Sequence, residues 1–268
     1  MHDGLVRRCR WLFAASSFLL LAVRAQAAPE WDVVGIRLGM TPVQARAALL
    51  AHAPKADITE FTRQFMFSDG AKNHPTPGFL ASLTARQERG PSSTETVELL
   101  FSAPPMEQRV IRVIRTVSMP SQPVAMDSVL ASVVQKYGRP AATLESNNGM
   151  VSILRWLEAG KPVCGNPAAS AQDAREAPPV DNSPAGLGHY RAWQQRKLAP
   201  PDPSDCSGAL VVSLATLAPR GPLVKEMKLV MTHPGYAIPA MQATARRLAE
   251  LEAEAKKTRR TSGAVPKL

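Results

Sequence analysis

Residues 33–42 read VVGIRLGMTP and residues 43–52 read VQARAALLAH. The junction between these stretches decides how the N-terminal half folds. Val33, Val34 and Ile36 make a short apolar β-type run, and Gly35 and Gly39 accept backbone angles that other residues resist. Thr41 is a favourable helix N-cap, and Pro42 suits the first helical turn, where its missing N–H costs nothing. Ala45, Ala48, Leu49 and His52 then share one helical face, and Pro54 stops the helix.

A related arrangement starts 81 residues later, with Pro123 in the place of Pro42. Met126, Val129, Leu130, Val133, Val134 and Tyr137 recur at amphipathic helical spacing. Gly138 suits a helix C′ position, and Pro140 prevents continuation. The two arrangements form a candidate structural repeat.

Strand-like runs follow each helix. Residues 58–67, 80–86, 95–101 and 109–118 follow the first. The alternation of Phe61, Phe65 and Phe67 predicts a core-facing row, with a binding surface as the alternative. Residues 109–118 read as a central strand, with Ile111 and Val113 on one side, Val110 and Ile114 on the other, and Arg112 on the more open face. After the second helix come 141–144 and 151–157 around an Asn147-Asn148-Gly149 turn, then 209–217 and 224–231 around Pro219-Arg220-Gly221-Pro222. Residues 165–188 are poor in large apolar side chains and predict a mobile loop. Residues 189–198 suggest a short helix, and a last helix is expected from about Pro239 to Lys257. The expected class is α+β: two helix-plus-antiparallel-sheet units over 28–120 and 121–235, helices on one sheet face, and a C-terminal helix and tail over 236–268.

Residues 1–27 carry the marks of an export signal: basic Arg7, Arg8 and Arg10, an apolar run from Trp11 to Val23, and Ala25-Gln26-Ala27 before the cleavage point. An uncleaved anchor is the alternative, and no later segment is long and apolar enough to span a bilayer. A periplasmic or secreted location follows as an expectation. The formal net charge is +10. A basic exported chain suits anionic polymers, but an ordinary basic surface is the simpler reading, and no Lys/Arg patch interleaved with aromatics suggests nucleic acid. In an oxidising compartment Cys164 and Cys206 are expected to form a disulfide, worth about 4 kcal/mol by chain entropy. The alternative, a metal held by Cys164, Cys206 and His189, lacks ligand spacing. No cofactor or metal is expected.

Nucleophile elbows, zinc-protease helices, phosphate loops and dinucleotide fingerprints are absent from the sequence. His52, His74, His189 and His233 are dispersed. His52 reads as a structural helix residue, His74 and His233 as turn residues, and Asp69 with His74 as a weak acid–base couple. Tyr190, Arg191, Trp193 and Arg196 form the candidate partner-binding patch, because Trp, Tyr and Arg dominate interface hot spots.

The stretch from Val34 to Pro42 resembles the G-x-x-L-G-M-[ST] helix start of many uncharacterised exported bacterial proteins. It is also similar to the first helix of small outer-membrane assembly lipoproteins of the SmpA/BamE type and of β-lactamase-inhibitor-like repeats. Lys136-Tyr137-Gly138-Arg139-Pro140 resembles a helix end recurring in the same group. The resemblance implies helices paired with a small antiparallel sheet, acting through protein binding. The expected function is thus a non-catalytic periplasmic or secreted binding protein for a protein or envelope component. An inhibitor of an exported enzyme and an envelope hydrolase with dispersed catalytic groups are the alternatives.

Overall fold

A computed structural model describes residues 31–90, 92–161, 182–184, 186–187 and 206–262. The expected signal at 1–27, the short helix over 189–198, Cys164 and the patch Tyr190, Arg191, Trp193 and Arg196 lie outside the described residues.

The opening corner is tighter than a β run. Val34 and Gly35 both take positive φ, 52° and 80°, so Val33 and Ile36 close a two-residue turn by exchanging backbone hydrogen bonds of 3.0 Å. Gly39 follows at φ 82°. Its N–H donates to Val110 O, and Val110 N donates to Met40 O, so the corner is stitched to a distant strand. Thr41 then caps helix α1, Pro42–His52. Its hydroxyl accepts from Gln44 N, and the Gln44 side chain accepts from Thr41 N, a reciprocal capping box. Ala45 and Leu49 are fully buried, as the periodicity predicts. Truncating Leu49 to Ala would cost about 2–5 kcal/mol.

The chain continues through β1 (Asp57–Arg63), β2 (Met66–Ser68), β3 (Asn73–Pro75), β4 (Phe79–Gly90), β5 (Ser93–Phe101), β6 (Val110–Ser118) and β7 (Val124–Ala125). Helix α2, Met126–Tyr137, precedes β8 (Ala142–Ser146) and β9 (Val151–Leu157). Then come β10 (Ala209–Thr216), β11 (Leu223–Thr232) and helix α3, Pro234–Ser262. Among the described residues three helices of ten or more residues pack against two antiparallel sheets. The larger has nine strands in the order β1-β4-β5-β6-β11-β10-β9-β8, with β7 beside β11, and the smaller pairs β2 with β3. The two expected units therefore do not form separate sheets. Their last strands, β6 and β11, are hydrogen-bonded to each other.

One face of the sheet is the main core. Leu83, Val97, Leu99, Val113, Leu154, Trp156, Leu210, Val212 and Met231 pack there beneath α1 and α2. Val133 of α2 is buried, and Tyr137 meets Trp156 at 5.9 Å between ring centroids. Trp156 Nε1 donates to Gly138 O at 3.0 Å, which satisfies the indole N–H and fixes the end of α2.

Two β-bulges redirect part of the sheet to a second cluster. Phe61 pairs with Ser82 but Thr62 with Leu80, which leaves Ala81 as the extra residue in β4. Leu100 pairs with Arg112 but Phe101 with Val110, which leaves Ile111 extra in β6. Extra residues turn local side chains away from the strand alternation. Ala81 joins Phe65, Phe79, Ala103 and Leu187 against Ile238, Met241 and Leu248 of α3, and Ile111 lines the same region. The expected pairing of Ile111 with Val113 is corrected accordingly: Val110 and Val113 share the main core. All helices do not lie on one face, because the bulged end carries α3 separately.

Other expectations also change. The strand foreseen over 58–67 breaks after Arg63, so Phe61 is exposed, Phe65 is buried under α3 and Phe67 belongs to β2. Pro123 does not repeat the role of Pro42, since α2 has Ala125 at its N-cap with no side-chain bond. Helix α3 begins before Pro239, which lies inside it. Part of the foreseen mobile loop is docked. Asn182, 5 % exposed, donates through Nδ2 to Ala81 O and Phe101 O, each at 2.7 Å. The expected Cys164–Cys206 bridge is corrected to a narrower statement. Among the described residues Cys206 is the only cysteine; it is fully buried and disulfide-bonded.

Candidate functional site

Among the described residues a histidine meets a carboxylate in three places. At Glu95 a carboxylate occupies an inward position of β5, in line with Val97 and Leu99, and is 1 % exposed. It accepts from Arg115 Nε at 2.5 Å, Arg89 Nε at 2.7 Å and Gln87 Nε2 at 2.6 Å, and also meets Arg89 Nη2. His52 Nε2 approaches both Glu95 oxygens, at 3.1 and 3.2 Å, and Arg89 Nη2 at 2.9 Å. Burial alone would raise the pKa of Glu95, but the Arg115 charge and the bonds from Arg115, Arg89 and Gln87 prevail and hold it at about 2. His52 and Arg89 also line an open cleft of about 660 Å³ with Pro54, Lys55, Asp57, Arg86, Gln87 and Glu88. This lining offers no hydroxyl or thiol nucleophile, and the four groups around Glu95 leave its carboxylate engaged on both oxygens.

At the other end, Glu158 Oε2 accepts from Gly208 N at 3.0 Å, His233 Nε2 at 3.1 Å and Lys161 Nζ at 3.2 Å. His233 Nδ1 accepts from Gly235 N at 3.0 Å. That bond fixes the tautomer: Nε2 carries the proton and Nδ1 caps the start of α3. Both ring nitrogens are thus committed to structure, so His233 is a helix cap as well as a turn residue. Burial lowers the His233 pKa, against the pull of Glu158. Burial raises the Glu158 pKa, but the Gly208 N–H, His233 and Lys161 together hold it below the ordinary value.

His74 Nε2 meets Asp69 Oδ2 at 3.0 Å, which brings together the couple considered from sequence. Asp69 Oδ1 also accepts from Ala71 N and Lys72 N, each at 2.7 Å, so the carboxylate closes the β2–β3 turn. The His74 hydrogen bond and these backbone bonds hold the Asp69 carboxyl far below its usual range. Neither this pair nor His233 lines the cleft beside His52.

A further candidate is the sheet face turned away from α1 and α2. The register places Asp57, Arg86, Thr96, Thr116, Lys228, Ser213, Ile153 and Leu144 in one row across eight strands. The adjacent row runs Thr59, Thr84, Glu98, Ile114, Val230, Val211, Arg155 and Ala142. Helix α3 meets this face at the bulged end marked by Ala81 and Ile111. Hydroxyls, aliphatics and both charge signs alternate over the remainder, a composition suited to contact rather than to a core.

Arg155 stands apart on this face. It is 8 % exposed, and its Nε is buried without a hydrogen-bond partner. Burial pulls its pKa below the ordinary arginine value. Sequence reading passed over both Arg155 and Glu95. Glu95 had a signal, an acid at the inward parity of a strand, whereas Arg155 points outward and carries none.

Among the described residues no group of His, Cys, Asp or Glu is arranged to hold a metal ion, and no helix is long and apolar enough to cross a membrane. No family model, curated protein or solved structure matches the chain.

Proposed function

We propose that this chain is a non-catalytic binding protein of the bacterial envelope or exterior, which engages a protein partner through the face of its nine-stranded sheet opposite α1 and α2. The observation that carries the reading is the eight-residue row from Asp57 to Leu144, of mixed character and with no buried member. The commitment of both His233 nitrogens to structural bonds supports binding over hydrolysis. The export reading rests on the Arg7–Ala27 pattern. Kinship with helix-plus-sheet binding repeats belongs to the same proposal. The strand order supports it, since β1-β4-β5-β6 and β8-β9-β10-β11 are each a helix-led antiparallel meander meeting at the centre.

Site-specific photo-cross-linking tests the proposal. Probes at Thr96 and Ser213 should give one adduct of defined mass in envelope extract, competed away by unlabelled protein. Probes at the exposed helix positions Ala47 and Ser132 should give none. Equal adducts from helix and sheet positions, or none from the sheet, would refute it.

A further inference from the structure

A buried guanidinium N–H without an acceptor is costly, because a polar group taken out of water needs a hydrogen bond in return. The Nε of Arg155 is in that position, on a side chain 8 % exposed and without a carboxylate partner among the described residues. Its cross-strand neighbours on the outer face are Val211 and Ala142, and its neighbours along β9 are Ile153 and Leu157. The nearest carboxylate in its own row is Glu98, four strands away, or roughly 19 Å at about 4.8 Å per strand. No described carboxylate pairs with it.

We propose that Arg155 is the receptor for a carboxylate side chain of a protein partner lying across β8, β9 and β10. This rests on the sheet-face reading above and names the chemistry of the partner. The charge is complementary, an acidic side chain meeting a cation on a chain of net charge +10. The fork of an arginine matches the two oxygens of a carboxylate. A phosphate would need several further donors, and the surroundings offer mainly Val211, Ile153, Leu157 and Ala142, with one hydroxyl at Ser213. Those aliphatic side chains, with the 41 % exposed Leu144, suit apolar residues two positions either side of the acid in an extended segment. The site therefore favours the pattern apolar-x-acid-x-apolar.

The test is an NMR titration of the Arg155 Nε–Hε resonance, assigned by its loss in Arg155→Met, with the acetylated and amidated pentapeptide Leu-Ser-Glu-Ser-Leu. The glutamate peptide should shift the resonance to saturation, and the glutamine analogue should bind at least about tenfold more weakly. Arg155→Met should abolish peptide binding while its Tm stays at or above that of the parent. Equal binding of the glutamine peptide overturns the proposal. So does saturation by inorganic phosphate at the same concentration, which marks a small-anion site, or a fall in Tm for Arg155→Met, which marks a structural guanidinium. Cross-linking from Ser213 that persists undiminished in Arg155→Met would remove the acidic contact and leave the partner face standing. Absence of sheet cross-linking in the parent strikes the partner face itself.

Discussion

Replacing Glu95 by Gln removes the buried charge from a cluster whose partners Arg115, Arg89 and His52 reach solvent, and changes little in shape. The carboxylate is 1 % exposed and takes hydrogen bonds from Arg115, Arg89 and Gln87. Its folded pKa of about 2 lies below the 4.5 of a free glutamate. At about 1.4 kcal/mol per pKa unit, that gap contributes roughly 3 kcal/mol of stability. Because the folded pKa is the lower one, this contribution is complete above pH 4.5 and is lost as pH falls through about 2. Breaking a fully buried pair from one side costs about 3–5 kcal/mol, and the partial exposure of Arg115 and Arg89 places this cluster at or below the lower end of that range. Urea unfolding followed by circular dichroism at several pH values gives the measurement. The variant should be less stable than the parent by roughly 3 kcal/mol at pH 7, with the difference shrinking as the pH is lowered below 4.5. A loss below about 1 kcal/mol at neutral pH, or a difference independent of pH, would show that the cluster is not a net source of stability.

Gly39→Ala should cost about 1–2 kcal/mol for its left-handed backbone at φ 82°, and more because the new methyl would meet the Tyr236 ring at 3.0 Å. A thermal-unfolding double-mutant cycle with Tyr236→Ala should recover the contact part and leave the backbone part. His233→Ala should cost about 1 kcal/mol through loss of the Gly235 cap. The parent should also lose stability as pH drops below 6.5, since burial keeps the folded His233 pKa under that of the unfolded chain, and this component should vanish in the variant. Urea titrations on either side of pH 6.5 check it.

Local chemistry made part of this fold legible. Thr41 and Pro42 announce the start of α1, although the Gln44 half of its capping box was not read, and the α2 periodicity from Met126 to Tyr137 coincides with the observed helix. The Asn147-Asn148-Gly149 turn also stands, all three residues at positive φ. What else escaped was non-local. The bulges at Ala81 and Ile111 are properties of strand pairs, so the phenylalanine alternation around Phe61 predicted burial where the structure has exposure. Pro123 looked like a second Pro42, yet Val124–Ala125 is drawn into pairing with β11, a partner that local sequence does not announce. The site was less legible than the fold. His233 read as a turn because its Nε2 donates to Glu158, 75 residues away in sequence, and Arg155 is conspicuous only once its surroundings are known.

The β6–β11 junction has a bearing on biogenesis. In chain order β5 and β6 are delivered together, whereas the opposite flank of β6 stays vacant until β11 arrives much later. In the interval the middle of the future sheet is a raw border of peptide donors and acceptors, open to any neighbouring extended chain. Nascent or prematurely ended chains that stop after α2 are therefore the molecules most exposed to self-association. Size-exclusion chromatography of such a fragment should show oligomers where the complete protein does not.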